Sequence, residues 1–198
     1  MQPGFIQAQI ARGNRNLLLA GIVLIVVGGG LAALFGHWFP LLLLVPGVVV
    51  LGLGLWRILN PKAHPLYQYL ARFGDVQQVV QRINAEFAGI KPGDTPQFGS
   101  NWLAQGHTFG LDLVPWQDIA WLHIYTQVRN SVRANFVRVR SRDGKQFVMP
   151  VAQEAQAERL LRELHMRAPW AEVGFSRELE QQWIKERAAF LQRVDARK

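Results

Sequence analysis

The sequence predicts an α+β chain: a two-helix transmembrane hairpin followed by a small antiparallel sheet with flanking helices. Three observations predict it. Two long stretches near the start carry no charge, the apolar period changes from about 3.6 to 2 after residue 96, and two amphipathic helical patterns close the chain. With 198 residues, one domain of ordinary size plus an accessory segment is the expectation.

Leu17 to Gly36 is a run of twenty uncharged residues, and Pro40 to Trp56 adds seventeen more before Arg57, Ile58 and Leu59. Twenty helical residues rise about 30 Å, the thickness of bilayer hydrocarbon, so spans are expected at about 17–36 and 40–59. His37, Trp38 and Phe39 lie between them, enough for a tight interfacial turn with Trp38 as an aromatic anchor. A cleaved signal peptide is the competing reading, with Arg12 and Arg15 ahead of an apolar run ending near Ala32 and Ala33. The length of that run and the second span behind it disfavour cleavage.

Arg12 and Arg15 precede the first span, Arg57 and Lys62 follow the second, and the turn holds no Lys or Arg. Basic residues stay on the cytoplasmic side, which predicts a two-pass protein of the inner (plasma) membrane with both termini cytoplasmic. There is no cysteine, which excludes disulfides and thiolate metal sites. Neither span holds an acid or an embedded Lys or Arg, so no ion path is indicated. Glycines are dense there instead: Gly28, Gly29 and Gly30 in the first span, Gly47, Gly52 and Gly54 in the second. Small residues let helices approach closely, either within the hairpin or against another membrane protein.

The division expected is 1–60 for the tail and hairpin, 61–90 for a helical connector, and 91–198 for the sheet domain with its C-terminal amphipathic helices. In the connector, "PLYQYLARFG" reads as a short helix from Pro65 to a stop at Gly74. "DVQQVVQRINAEF" restarts at once, with Asp75 and Gln78 at capping-box spacing and Val76, Val79, Val80, Ile83 and Phe87 on one stripe. "KPGDTP", 91–96, is a turn cluster.

Beyond it, "SNWLAQ", "HTFGLDLV", "DIAWLHIYTQV", "NFVRVRS" and "QFVMPV" are short aromatic and β-branched runs, which predict four to six antiparallel strands. "QEAQAERLLRELHMR" is a helix with Ala155, Leu160, Leu161 and Leu164 towards a core. "SRELEQQWIKERAAFLQRV" is a second, capped by Ser176, with Leu179, Trp183, Ile184, Phe190, Leu191 and Val194 as its stripe.

A strand carrying "NWL", a strand ending in "LVPWQDIAWLHIY", a hairpin around "RSRDGKQFVMPV" and the helix "AERLLRELHMRAP" together resemble the pleckstrin-homology-like domains of bacterial membrane proteins. With the two spans, "NPKAHPLYQYLARFGD" and "PWAEVGFSRELEQQW", the arrangement looks like an uncharacterised family of two-pass bacterial membrane proteins, over about 60–195. The resemblance implies a strongly bent antiparallel sheet capped by a helix. Such domains bind lipids, peptides or proteins, and the resemblance carries over no ligand residue.

No catalytic, cofactor or metal residues are expected. His37, His64, His107, His123 and His165 are scattered, with no pair at metal-sharing helical spacing. "GLGLWR" lacks the Lys and Ser or Thr of a phosphate loop, and no nucleophile elbow is present. Asp112 and Asp118 flank Val114, Pro115 and Trp116; Asp118 as a turn terminator is the simpler account than a carboxylate pair.

The candidate contact surface is cationic. Arg129, Arg133, Arg138, Arg140, Arg142 and Lys145 stand against Asp143 alone between 129 and 145. Alternate strand residues share a face, so Arg138, Arg140 and Arg142 line one side while Val137 and Val139 face the other. With Asp143–Gly144 as a two-residue turn, Arg142 would oppose Lys145 and Arg140 would oppose Phe147. Such a row is a solvated face that deters edge pairing, or a contact for the anionic inner leaflet or an acidic protein. A nucleic-acid partner is disfavoured, since other basic stripes are few.

The functional expectation is a membrane-anchored, non-enzymatic binding or scaffolding protein with membrane lipids and a protein partner, or a second copy, as its contacts. The alternative is a subunit or immunity-type protein that acts through its transmembrane helices on another membrane protein.

Overall fold

The computed structural model describes residues 4–36, 39–90, 93, 95–129 and 132–198. The expected turn at His37 and Trp38, and half of the 91–96 cluster, lie outside them. The described chain is mixed α+β, with seven helices and two small sheets. It divides into two compact units: Met1–Asp94 with Gln105–Asp112, and Thr95–Ala104 with Leu113–Lys198.

The first unit is chiefly helical. Helix α1 runs Phe5–Phe35, a 3-10 turn covers Phe39–Leu43, and α2 runs Leu44–Leu59. Both helices are long and apolar enough to cross a membrane, with mean hydropathy 2.7 and 2.2 over the most apolar 18 residues of Phe5–Phe35 and of Leu41–Leu59. Their apolar surface is largely uncovered: Leu34 is 80% exposed, Val45 66% and Leu59 77%. In water, leaving such side chains out costs each about 1.5–3 kcal/mol of burial, a loss that a lipid surround removes.

Helix α1 begins twelve residues before the expected span. At 1.5 Å per residue it is about 46 Å long, more than hydrocarbon thickness requires. Its first turns are buried instead in a small core of this unit. Phe5 stacks on Phe87 at 4.8 Å, Ile6 is fully buried, and the Ile6 amide donates to Asn84 Oδ1 at 2.9 Å. Gly36 ends α1 in the left-handed region, φ 62, with its amide donating to the Ala32 carbonyl.

Helix α3 spans Pro65–Leu70, a 3-10 turn follows at Ala71–Phe73, and α4 spans Val76–Glu86. The starts and stops are those expected. Pro65 opens α3, Gly74 breaks the chain at φ 125, and the Asp75 carboxylate accepts from the Gln78 amide at 3.0 Å. Val79, Val80, Ile83 and Phe87 are buried as the stripe predicts; Val76 is only half-buried. His64 also caps α3, its Nδ1 accepting from the Leu66 amide at 3.2 Å.

The strands are β1 Gln97–Phe98, β2 Trp102–His107, β3 Gly110–Pro115, β4 Ile119–Arg129, β5 Val132–Ser141, β6 Gln146–Val151 and β7 Glu172–Val173. One sheet has the order β1-β2-β3, the other β6-β5-β4-β7. Strand β7 is an addition to the expected antiparallel set, pairing parallel to β4 at Trp121–Glu172 and Leu122–Val173.

The second unit packs a core from Leu103, Val114, Ile119, Leu122, Val137, Val139 and Phe147 against helix α5, Glu154–Arg167. Ala157 and Leu164 are the buried residues of α5, and Ala155 is exposed, one face round from its expected place. The last helical pattern is two helices, α6 Arg177–Lys185 and α7 Arg187–Asp195, broken at Glu186 with φ −130 and ψ 43. Ile184 faces outwards, 69% exposed, while Trp183, Phe190 and Val194 are buried with Trp121. Ser176 does cap α6, its Oγ accepting from the Leu179 amide at 3.1 Å.

Candidate functional site

The cationic hairpin is formed by β5 and β6, and its loop is one residue longer than expected. Ser141 pairs with Lys145 through its amide and the Lys145 carbonyl at 3.0 Å, and the Gly144 amide donates to Ser141 O at 2.9 Å. Gly144 alone takes the left-handed conformation, φ 93, as in a three-residue loop with a glycine bulge. The register therefore sets Arg140 opposite Gln146, with Phe147 opposite Val139, and places Arg142 in the loop. The like-charge opposition of Arg142 and Lys145 does not arise.

Val137 and Val139 point into the core, and Arg138, Arg140 and Arg142 take the other side, as alternation requires. That side is not an open cationic face. Strand β4 runs antiparallel to β5, and Trp121, His123 and Tyr125 lie across from Arg140, Arg138 and Phe136. The Arg138 guanidinium lies over the Tyr125 ring at 4.2 Å. Arg140 rests against both Trp121, at 4.8 Å, and Trp183 of α6, at 5.8 Å, two rings whose centres are 6.0 Å apart, with Glu180 at 3.9 Å. Its side chain is 11% exposed, and burial followed by the charge of Arg138 lowers its pKa, with Glu180 opposing.

Helix α7 covers the next cation. Arg142 donates through both terminal nitrogens to the Asp195 carboxylate, Nη1 to Oδ2 at 3.0 Å. That hydrogen bond holds the Asp195 carboxyl below its ordinary range. Arg187, at the start of α7, lies over Trp183 at 4.7 Å and donates to the carbonyls of Ser141 and Arg142. Lys145 reaches the Leu113 carbonyl at 3.3 Å and Asp143 at 4.0 Å. Of the six expected contact cations, Arg133 is exposed, Arg138 is half-buried, and the Arg129 side chain lies outside the described residues.

Beneath the arginines lies His123, fully buried, with neither ring nitrogen hydrogen-bonded. Its ring packs on Trp121 at 4.3 Å and Phe175 at 5.6 Å. Burial, then Arg140 and Arg138, push its pKa down to about 3, so it is neutral at physiological pH. Trp121, His123, Tyr125 and Trp183 were not singled out as site residues. The period-2 spacing of Trp121, His123 and Tyr125 in "WLHIY" was the available signal, facing the Arg138–Arg140 alternation on the next strand.

The glycines divide into two sets. A side chain at Gly47 would meet Ile25 Cγ1 at 2.8 Å, and one at Gly54 would meet Leu18 at 3.0 Å; Gly28 is buried as well. Gly21, not singled out beforehand, belongs with them, against the Leu51 amide at 2.8 Å. Gly29, Gly30 and Gly52 have nothing within 4 Å of a built Cβ, so they do not serve the α1–α2 contact.

The two aspartates have separate settings. Asp112 lies 4.0 Å from His107, both exposed, whereas Asp118 ends a 3-10 turn at Trp116–Asp118 and its carbonyl accepts from the Arg142 amide at 2.8 Å. Among known proteins, no family model, no curated sequence and no solved structure matches the chain.

Proposed function

We propose that the chain is a membrane-anchored, non-enzymatic binding protein. Its two apolar helices cross the inner membrane with both termini cytoplasmic, and its sheet unit is a pleckstrin-homology-like domain that docks on an anionic surface, lipid headgroups or an acidic protein. The observation that carries the anchoring is the uncovered apolar length of α1 and α2: 17% and 11% of their most apolar windows are buried. The domain reading is supported by two small, chiefly antiparallel sheets and a helix, α5, packed on their core.

Arg133 and Arg138 are the cations for docking, at the end of the β4–β5 ribbon away from the α6–α7 cover. Each basic side chain near an anionic leaflet contributes about 1 kcal/mol, enough to orient a domain already tethered by its helices. Arg140 and Arg142 hold α6 and α7 instead.

The test is photocrosslinking in native membranes with wild type beside R133E/R138E. Membrane insertion should be unchanged and the captured lipid or protein lost. Identical crosslinks in the two proteins would overturn the docking reading.

A second reading follows from Gly29, Gly30 and Gly52, which leave backbone open on the outside of the hairpin. Small residues there admit a helix of another membrane protein, as a subunit or immunity-type protein requires. G29L/G52L should then abolish activity with the hairpin intact, while R133E/R138E keeps it.

A further inference from the structure

The helical unit contains an open-sided cavity of about 690 Å³ between α1, α3, α4 and the segment that leaves α2. Its size falls in the range of small-molecule sites, roughly 300–1,000 Å³. The apolar part of the lining comes from Pro61, Ala71, Val76 and Val80.

The polar lining is rich in carboxamides, with one phenol at Tyr67. Lys62 is the lone cation among the lining residues, no Asp or Glu is present, and Gln68, Gln77, Gln81 and Asn84 contribute carboxamides. A carboxamide both donates and accepts, which suits hydroxyl groups, and an ammonium without a carboxylate beside it suits a phosphate. Asn84 is fixed, since its Oδ1 accepts from the Ile6 amide and its Nδ2 donates to Gln7 Oε1 at 3.0 Å.

The place of the cavity narrows the ligand. Gly54 packs against Leu17 and Leu18, and Gly47 against Gly21 and Ile25, so the antiparallel helices keep register towards their polar ends. Lys62 is three residues past the end of α2, and Gln7 lies ten residues, about 15 Å of helix, before the uncharged run of α1. Lys62 therefore stands at the headgroup edge of the apolar surface, next to exposed apolar side chains such as Leu59 and Ile58, and Gln7 reaches beyond it.

We propose that this cavity is a specific site for a phosphate ester bearing hydroxyl groups, supplied by the headgroup of a phosphoglycerol-type membrane lipid. Lys62 takes the phosphate, Gln77 and Gln81 take the hydroxyls, and the acyl chains lie along the exposed end of α2. The site is independent of the arginine ribbon, so R133E/R138E leaves it intact and the two readings fail separately.

The experiment is native mass spectrometry of delipidated full-length protein offered phosphatidylglycerol, phosphatidylcholine or soluble glycerol 3-phosphate. Phosphatidylglycerol should be retained at least about tenfold more tightly than phosphatidylcholine. K62M and Q81W should each lose that preference. Lys62, Gln77 and Gln81 are exposed, so melting temperatures should be unchanged, and Q77A/Q81A provides a milder variant with the same expected loss. Equal retention of both lipids, or a preference that survives all three variants, overturns the site. Glycerol 3-phosphate bound as tightly as the lipid overturns the membrane source and assigns a soluble phosphate ester.

Discussion

The guanidinium of Arg140 lies 4.8 Å from the centre of the Trp121 ring, on the residue directly across the β4–β5 ladder. Trp183, 6.0 Å from Trp121, meets the same guanidinium at 5.8 Å, so one arginine joins the sheet to α6. A planar guanidinium stacks on an indole face, and a lysine ammonium lacks that shape. R140K should therefore destabilise the sheet unit nearly as much as R140A, by about 1–2 kcal/mol. W183A removes both the stack and a buried ring, and should cost about 3 kcal/mol or more. Urea titration followed by tryptophan fluorescence measures all three. A fully restored R140K would show that charge alone matters there.

His123 makes the same unit acid-sensitive. Its folded pKa is depressed from 6.5 to about 3, so between those values the unfolded chain binds a proton that the folded chain does not. The unfolded state then binds more protons, and stability rises with pH. The contribution is fully present above pH 6.5 and is lost as pH falls towards 3, at up to about 1.4 kcal/mol per unit. Arg138 and Arg140 strengthen the effect by repelling an imidazolium. H123F keeps a ring against Trp121 and Phe175 and should flatten unfolding midpoints between pH 4 and 6.5. An equal slope in H123F would assign the acid lability elsewhere.

Elements with local causes were legible in the sequence. Hydropathy marks the two long helices, and Pro65, Asp75 and Ser176 mark helix starts, because a cap acts within three residues of itself. The buried beginning of α1 was hidden because polar residues sit in its contacts: Gln9 is 1% exposed and Asn14 7%. The arginine alternation was equally plain, but its cover was not. Trp183 and Asp195 lie more than forty residues beyond Arg140 and Arg142 in the chain, and no periodicity relates positions that only tertiary packing brings together. Glycine density likewise pointed to close helix approach without telling which glycines face inwards, since each residue turns the helix by about 100°. Gly21, alone in its stretch, is packed, while Gly29 and Gly30 of the dense cluster are open.

That inward set gives a geometric test of the hairpin. A Cβ built on Gly54 falls 3.5 Å from Leu17 Cβ, at the short end of the 3.5–4.5 Å separation that a disulfide bridges. The chain has no cysteine, so a L17C/G54C pair reports without background. Mild oxidation of the full-length protein in membranes should lock this pair, seen as a mobility shift reversed by reductant. L17C/G52C should stay reduced, because Gly52 faces away from α1 with nothing within 4 Å. The locked pair closes α1 to α2 near the boundary where packed turns give way to the uncovered run. Crosslinking of both pairs alike would mean that α2 rotates about its axis, and the division into inward and outward glycines would fall with it.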